Sequence, residues 1–506
     1  MRLARPGVWP AVKGLIVFDG RVWLTNSQPF EDNNAADIYS YDPESRELRF
    51  ERGLFSQDVG VPAVVDGRLL LPLEDPRFNL SAGEYAITDG QAWRWHRLPE
   101  GLAFHTHAIG ACGDDLLAVT GAWEGQLHLS SDGGRTWRLA RSYPANEAAF
   151  SRLVAVAAFK ERCFVGASAF GRRGAKLLEW QGGALHPVTG WPEGNRTDRL
   201  TPWKGLLLGL NDTNAGASLH AYDGENVRRI VLPTTDRVRN LAADGETLWM
   251  VAGNSLWRTA DAVRWQEVQR FDETPIAVAA SGGSVFVGTF AKKGGSLFGP
   301  KRAIDMHGAA AAKPLAPQPR RRVDATMWAD VEKKIGGYLE ASGPGDDAGR
   351  LEALSRSLRR LTTVADPAIG ERLAAHIDAL DLRSGLWRFV SPRSRRSQIL
   401  GWHLLSAIAV NGHGHVPVDL LAASLSSWRN ATKKNLDPPI AALATVGWLD
   451  QHNGDTLDAL IRRLSRTGIE PWEIGDITAA LTALTGQSFA HDVDRWQAWW
   501  SERKRR

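Results

Sequence analysis

Short apolar runs separated by turn residues fill the first 300 residues of the chain. The recurring unit is an apolar run, a two-residue turn, a second apolar strand and two further strands. Residues 15–24 are a clear copy around Asp19-Gly20, and residues 62–71 are another around Asp66-Gly67. An Asp-Gly pair between two apolar runs is typical of a β-hairpin, because both central residues of a type I′ turn need positive φ. The pattern therefore predicts a repeated hairpin.

The hairpin recurs at a nearly constant spacing. Counted from Asp19, the intervals between turns are 47, 47, 47, 44, 40 and 38 residues. A period of about 40–50 residues built of short strands is typical of β-propeller blades. We therefore predict an all-β, seven-bladed β-propeller over residues 1–300, with two unrelated turn-rich β domains as the alternative. The seven turns fall at Asp19-Gly20, Asp66-Gly67, Gly113-Asp114, Lys160-Glu161, Lys204-Gly205, Asp244-Gly245 and Gly282-Gly283.

One copy carries a recognisable motif. Residues 130–137 read Ser-Ser-Asp-Gly-Gly-Arg-Thr-Trp and resemble the Asp-box of sialidase-like propellers, and residues 259–265 resemble a shortened copy. In that family the box is a structural turn, in which the aspartate caps backbone N–H groups and the tryptophan packs between blades. The resemblance therefore indicates fold rather than chemistry. It implies a structural role for Ser130, Asp132, Gly134, Thr136 and Trp137.

The strand pattern stops at Gly299. Residues 301–322 are rich in Ala, Pro and Arg, which predicts a semi-rigid, solvated linker that crosses few contacts. We therefore expect two independently folding parts, with trypsin cutting first at Arg320 to Arg322.

The period becomes helical after the linker. Leu351, Leu354, Leu358 and Leu361 share one helical face, and about nine helix-length segments follow one another through residues 323–506. Residues 484–500 resemble the closing segment of bacterial HEAT-repeat-like domains. The second part is therefore predicted to be an all-α, HEAT-like helical domain, which makes the chain a multidomain protein.

Charge is unevenly divided between the two parts. The whole chain carries a formal net charge of +4, with +6 in residues 301–506 and −2 in residues 1–300. Basic clusters in the linker and the C-terminal tail could attract phosphate backbones. No helix-turn-helix, RNA-recognition or zinc-finger pattern accompanies them. Solvated basic segments are the preferred interpretation, and a nucleic-acid-associated protein is the second alternative function.

Cysteine usage and hydropathy bear on the compartment. Cys112 and Cys163 could form at most one bridge, and neither belongs to a CxxC or zinc-ligand spacing. The N-terminal residues are not followed by an apolar signal segment, and no stretch approaches about 18 apolar residues. We predict a cytoplasmic protein without membrane, metal or cofactor.

The chain has no GxSxG elbow, P-loop, HExxH or Rossmann glycine motif, so no catalytic residue is predicted. A sialidase-like glycoside hydrolase would need an arginine triad with a Tyr/Glu pair, but the Arg-Ile-Pro motif of that family is missing. A hydrolase or a glycan-binding propeller remains the first alternative.

Aligning the units places charged side chains where the innermost strands begin, around the mouth of the central channel. Related triplets occur at 151–153, 198–200 and 236–238. Convergent guanidinium groups suit a carboxylate or phosphate. In the alternative, each arginine pairs with Asp198, Asp236 or Glu147 of the neighbouring blade and closes the ring. The predicted ligand-binding residues are His105, His107, Arg152, Arg199, Arg237 and Arg239.

These observations favour a non-enzymatic binding or scaffold protein. The propeller face would bind an anionic small molecule, a glycan or a protein partner, and the helical array would bind a second protein partner.

Overall fold

The structure is a computed structural model of the chain. It describes residues 1–7, 9–28, 36–54, 56–76, 83–98, 105–121, 124–143, 151–169, 174, 176–213, 216–300, 311–315, 322–341, 344–362, 366, 368–380, 392–411, 422, 453–469, 471–487 and 489–505.

Consecutive antiparallel strands form the first part of the chain, and they group around the predicted turns into units one to seven. Units one to three consist of β2 (Ala11–Phe18), β3 (Arg21–Ser27), β4 (Asp37–Tyr41) and β5 (Leu48–Gly53); then β6 (Ser56–Val59), β7 (Ala63–Val65), β8 (Arg68–Pro76), β9 (Glu84–Thr88) and β10 (Trp93–Arg97); then β11 (His105–Cys112), β12 (Asp115–Gly121), β13 (Gly125–Ser130) and β14 (Arg138–Tyr143).

Units four to six repeat the four-stranded pattern, and unit seven takes its outermost strand from the N-terminus. They consist of β15 (Ser151–Phe159), β16 (Arg162–Ala169), β17 (Leu177–Gln181) and β18 (Ala184–Pro187); β19 (Arg196–Trp203), β20 (Leu206–Thr213), β21 (Gly216–Tyr222) and β22 (Val227–Ile230); β23 (Val238–Asp244), β24 (Thr247–Ala252), β25 (Ser255–Thr259) and β26 (Gln266–Arg270); and β27 (Thr274–Ser281), β28 (Ser284–Phe290), β29 (Leu297–Phe298) and β1 (Arg2–Ala4).

The first strands of successive units lie side by side and close into a ring. From unit two to unit seven each first strand contacts its successor, and β27 contacts β2 of unit one. The ring is also closed by pairing, because β1 pairs with β29 and β2 bridges to β28. Radial antiparallel sheets around a closed ring define a β-propeller. The sequence pattern did not predict β1, which has only three residues.

The predicted hairpin turns are present, and their backbone explains their sequences. Both turn residues have positive φ at Asp19 (50°) and Gly20 (71°), and likewise at Lys160 and Glu161. This geometry matches a type I′ turn, whose twist fits the flanking strands. In unit six the strand runs through Asp244, so the turn lies one residue later than predicted.

A β-bulge interrupts the first strand of six units. The strand register shifts between Thr106 and Ala108 in unit three, between Asp198 and Thr201 in unit five, and at matching places in units one, four, six and seven. In unit two the strand is broken at Gly60, where a Cβ would lie 2.2 Å from a backbone oxygen of unit three. Bulges re-aim the side chains beside them, which matters at the channel mouth.

The Ser130–Trp137 turn is held by its own side chains. Asp132 Oδ1 accepts a hydrogen bond from the Thr136 backbone N–H at 2.8 Å, and Ser130 Oγ accepts one from Gly134 N–H at 2.8 Å. Trp137 Nε1 donates to Tyr85 OH of unit two at 3.0 Å. The turn therefore ties unit three to unit two.

Cys112 and Cys163 are bonded to one another, with a Cα–Cα distance of 5.8 Å. The bond joins the first strand of unit three to the second strand of unit four. The predicted cytoplasmic location implies a reducing compartment, whereas paired cysteines are more common in oxidising compartments. The cytoplasmic location therefore stays a prediction. None of the helices that the structure describes is long and apolar enough to cross a bilayer.

Helices replace strands in the second part of the chain. Asp324 caps the first helix by accepting from Met327 N–H at 2.8 Å, and Asn453 and Thr456 form a capping box. Two predicted helical segments, 417–430 and 438–453, lie almost entirely outside the described residues. The described helices are α1 (Ala325–Leu339), α2 (Pro344–Thr362), α3 (Ala368–Ala379), α4 (Pro392–Asn411), α5 (Gly454–Leu464), α6 (Pro471–Thr485) and α7 (Val493–Arg505).

The helices pack against the outer edge of units one and two. Helix α6 contacts β5 and α4 contacts β10, which are the outermost strands of these units. Covering such edges removes unpaired strand surface from solvent. One apolar core runs through both parts, and its buried members include Trp23, Leu54, Leu71, Trp95, Leu404, Leu481 and Trp496.

The linker is in contact with the propeller where the structure describes it. The backbone N–H groups of Ala312 and Leu315 donate to Asp19 and Asp89, and Lys313 pairs with Asp66. These aspartates belong to hairpin turns of units one and two. Carboxylates of the hairpin turns thus accept hydrogen bonds from backbone N–H groups of the linker. The prediction that the linker makes few contacts is therefore wrong for residues 311–315. Arg320 and Arg321 lie outside the described residues.

His128 in β13 provides a test of the propeller core. It is fully buried, neither ring nitrogen has a hydrogen-bond partner among the described residues, and burial lowers its pKa to about 4. The unfolded chain binds a proton near pH 6.5 and the folded chain only near 4, so stability falls as the pH drops through this interval.

We expect His128→Leu to reduce this pH dependence. Between pH 7 and pH 4 the wild type should lose about 3 kcal/mol more free energy of unfolding than the variant. Urea denaturation at both pH values measures the difference. His186→Leu, at an exposed histidine of β18, is the matched control. Equal losses for the wild type and His128→Leu would contradict the expectation.

Candidate functional site

The residue seven positions before the end of a unit's first strand occupies an equivalent place in all seven units. We call this place the ring position. From unit two to unit six it carries an ionisable side chain. It lies where the strands begin, around the channel mouth. Its residues are Ala11, Asp58, His105, Arg152, Arg196, Arg237 and Thr274.

Arg199 does not share this register, although the sequence alignment grouped it with Arg152 and Arg237. It lies in the bulge of β19 at φ 53°, and Arg196 occupies the ring position. The similar-looking triplet at 198–200 begins three residues later in its strand than the triplets of units four and six begin in theirs. Counting back strictly from the hairpin turn would have identified Arg196.

The arginines of units five and six are held by nearby carboxylates. Arg196 Nε donates to Asp198 Oδ2 at 2.6 Å, and Arg237 contacts Asp212 Oδ2 of the neighbouring unit at 3.2 Å. Burial alone would lower the pKa of Arg196, but the charge of Asp198, the hydrogen bond to it and the charges of Glu74 and Asp212 together raise that pKa. Burial, together with the charge of Asp198, raises the pKa of Asp212. Arg237 is therefore paired with the neighbouring unit, but through Asp212 and not through Asp198 or Asp236, two partners of the alternative interpretation. The third partner, Glu147, lies outside the described residues.

Arg239 and Arg152 have different settings. Arg239 donates to the Gly253 carbonyl at 2.7 Å, and burial and the nearby Arg237 lower its pKa. The Arg152 side chain lies over Gly121, where an added Cβ would come within 2.4 Å of its Cγ. Gly121 therefore makes room for Arg152 between units three and four.

The histidines of unit three lie together. The rings of His105 and His107 stack with centroids 5.3 Å apart, and His107 Nδ1 is 3.3 Å from Glu74 Oε1. Burial would raise the pKa of Glu74, but the hydrogen bond from His107 and the charge of Lys13 hold it well below the usual range. Sequence reasoning missed Glu74 and Lys13, which approach the histidines only in the closed ring.

A buried carboxylate, that of Asp58, lies beside the partly exposed Glu74. Asp58 is ion-paired with Lys13 and is opposite Glu74 in the strand ladder. Burial, reinforced by the nearby Glu74, raises the pKa of Asp58 despite the charge of Lys13. Units one to three therefore contribute carboxylates, an ammonium group and imidazoles to the mouth, whereas units four to six contribute arginines.

A cavity of about 940 Å³ opens at the mouth end of unit five, between units four and six. Its charged lining comprises Arg196, Arg229 and Arg237 with Asp212 and Asp236. The exposed Val231 forms an apolar part of its rim. The structure thus brings the predicted Arg237 together with Arg196, a residue that was not predicted from the sequence. The other predicted ligand-binding residues do not line this cavity.

Metal chemistry has no evident centre in the described part of the chain. No group of three or more His, Cys, Asp and Glu side chains is arranged to bind an ion among those residues.

Comparisons with known proteins give structural similarity without a family. No family model matches the chain, and no curated protein matches it. Among solved structures, it resembles the Pyrococcus horikoshii acylaminoacyl peptidase with 10% identity over 59% of this chain and 53% of that chain, at a TM-score of 0.41. The chain thus spans about half the length of that peptidase.

Two further solved structures are matched over most of their own length. YCF48 from Cyanidioschyzon merolae is 11% identical over 59% of this chain and 97% of that chain, with a TM-score of 0.40. The β-propeller domain of the Trilobed protease from Pyrococcus furiosus is 9% identical over 57% and 95%, with a TM-score of 0.40. The fold assignment above rests on the chain's own strand pairing.

Proposed function

We propose that the chain is a non-enzymatic binding protein, a seven-bladed β-propeller with a HEAT-like helical domain, that binds an anionic ligand at the channel mouth. Seven hairpin turns, and a unit seven completed by the N-terminal strand, support the blade number. Stacked amphipathic helices support the helical assignment, and their exposed faces would take a second protein partner.

The cavity of unit five is the observation that carries the proposal. Three arginines line it, and they differ in how many of their guanidinium N–H groups are already engaged by carboxylates. Arg237 is paired with Asp212, and Arg196 is held by Asp198, which leaves the rest of its fork available. Arg229 is exposed and has no ion pair with any described residue. A guanidinium fork donates two parallel hydrogen bonds to a carboxylate or phosphate.

The test uses 3-phenylpropionate, a carboxylate with an apolar group for the Val231 rim. We expect the probe to bind the full chain saturably, and the broadening of its NMR lines measures this binding. Arg196→Gln should weaken it about ten- to a hundredfold, because a charge-assisted hydrogen bond contributes roughly 1.5–3 kcal/mol. Glutamine keeps a donor for Asp198, so the fold should persist.

Arg258→Gln is the matched control, since Arg258 is exposed and, among the described residues, its side chain hydrogen-bonds only to Gln266 in the neighbouring strand. Its affinity for the probe should equal that of the wild type. The proposal fails if the wild type does not bind the probe or if both variants weaken it equally. Turnover of 4-methylumbelliferyl N-acetylneuraminate by the full chain would instead favour the sialidase-like hydrolase.

A further inference from the structure

A second cavity adjoins the cavity of unit five. It has a volume of about 440 Å³ and lies at the mouth end of unit six, between β24 and β25 and at the end of β26. Asp236 lines both cavities, so they are neighbours that share one side chain. Volumes of this size suit small-molecule ligands. A ligand larger than a simple carboxylate can therefore extend from one cavity into the other.

The two cavities differ in the sign of their charge. The charged lining of the cavity of unit five consists of three arginines and two aspartates. In the second cavity it consists of Asp236 and Asp272 against Arg270. At neutral pH the cavity of unit five therefore favours a negatively charged group, and the second cavity favours a positively charged group.

The carboxylate of Asp236 is available to a cationic ligand group. Its side chain is exposed and has no ion pair with any residue that the structure describes. The carboxylate lies against Gly253, where an added Cβ would collide with Oδ2. Arg239, from the same unit, donates to the Gly253 carbonyl and not to Asp236. The oxygens of Asp236 can therefore accept hydrogen bonds from an ammonium group.

We propose that the ligand is a short peptide with free termini. Its C-terminal carboxylate binds Arg196 and Arg229, and its N-terminal ammonium group enters the second cavity beside Asp236. This inference rests on the proposed anion site and adds the chemical class of its ligand. The aspartates of the second cavity repel a ligand that carries only negative charge, which disfavours simple acids. A single amino acid carries both charges on one carbon atom, so it does not reach from one cavity into the other.

Two compounds that differ by one ammonium group test the proposal. The first is the tripeptide Ala-Ala-Phe, whose last residue repeats the carboxylate and the phenyl group of 3-phenylpropionate. The second is propionyl-Ala-Phe, in which a hydrogen atom replaces the ammonium group. Each is titrated into the full chain and followed by the broadening of its NMR lines. We expect the tripeptide to bind about three- to tenfold more tightly, because its ammonium group forms a charge-assisted hydrogen bond.

Variants of the second cavity locate the effect. Asp236→Asn keeps the shape of the side chain and removes its charge, so it should reduce the preference for the tripeptide. Asp236→Asn/Asp272→Asn should abolish the preference. Asp114→Asn is the matched control, because Asp114 is exposed in the hairpin turn of unit three, and it should keep the wild-type preference. Arg196→Gln should weaken both compounds by the same factor.

The outcomes separate the two proposals. Equal binding of the two compounds by the wild type overturns the peptide inference and leaves the anion site standing. Binding of phenylalanine as tightly as the tripeptide also overturns the peptide inference, as does a preference that persists in the folded double variant. Failure of 3-phenylpropionate and of both compounds to bind, or indifference to Arg196→Gln, overturns the anion site itself.

Discussion

Residues 1–300, produced without the helices, should melt roughly 10 °C below the full chain. Trp9 of the propeller is buried against the helical part, where a Cβ added to Gly475 would lie 3.0 Å from Cζ2 of its indole ring. Asp37 accepts from Trp9 Nε1 and lies 3.1 Å from His491 Nε2. Exposing a large apolar side chain costs about 1.5–3 kcal/mol, and losing the partner of a buried polar group costs about 1–3 kcal/mol. Each kcal/mol lost from the free energy of unfolding lowers the melting temperature by about 2–4 °C.

The measurement compares calorimetric melts of the fragment and of the full chain. A protease site inserted between residues 301 and 310 provides a control in which no residue is removed, and we expect the two cleaved parts to stay together on gel filtration. This expectation reverses the one drawn from composition, in which the two parts fold independently. Separation of the cleaved parts, with an unchanged propeller melt, would restore the earlier view.

Arg97→Ala should destabilise the chain by about 3–5 kcal/mol. Arg97 Nε donates to Glu84 Oε1 at 3.0 Å in unit two, and both side chains are fully buried. Burial raises the pKa of Glu84 even though the charge of Arg97 opposes it. Removing the guanidinium leaves a buried carboxylate without its partner, which is much costlier than losing an exposed pair.

Urea denaturation at pH 7 measures this loss against two controls. The double variant Arg97→Met/Glu84→Leu replaces both charges with apolar groups and should recover most of the stability. Lys204→Ala removes one partner of the largely exposed pair with Glu246 and should cost less than about 1 kcal/mol. A loss below 1 kcal/mol for Arg97→Ala would show that water or another cation reaches Glu84.

The candidate site was only partly predictable, and the reason is visible at Arg196 and Arg199. Both lie near the start of the same strand, and the triplet around Arg199 resembles those around Arg152 and Arg237, although the count from the hairpin turn puts Arg196 in their register. Arg199 lies within the bulge, three residues beyond Arg196, and Arg196 lines the cavity. His107 was recognisable as an imidazole near the mouth, but its partner Glu74 comes from the preceding unit. Contacts between units depend on ring closure, which no local pattern specifies.

The sequence by itself determined the local structure of this protein. Turn residues that tolerate positive φ set the hairpins, the spacing of leucines set the helices, and the side chains of the Asp132 turn satisfy their own backbone. Only the tertiary structure decided that strand Arg2–Ala4 pairs with Leu297–Phe298, that the helices cover units one and two, and which charges meet at the mouth. Local signals act through neighbouring residues along the chain, whereas these arrangements join groups hundreds of residues apart and depend on how the whole ring packs.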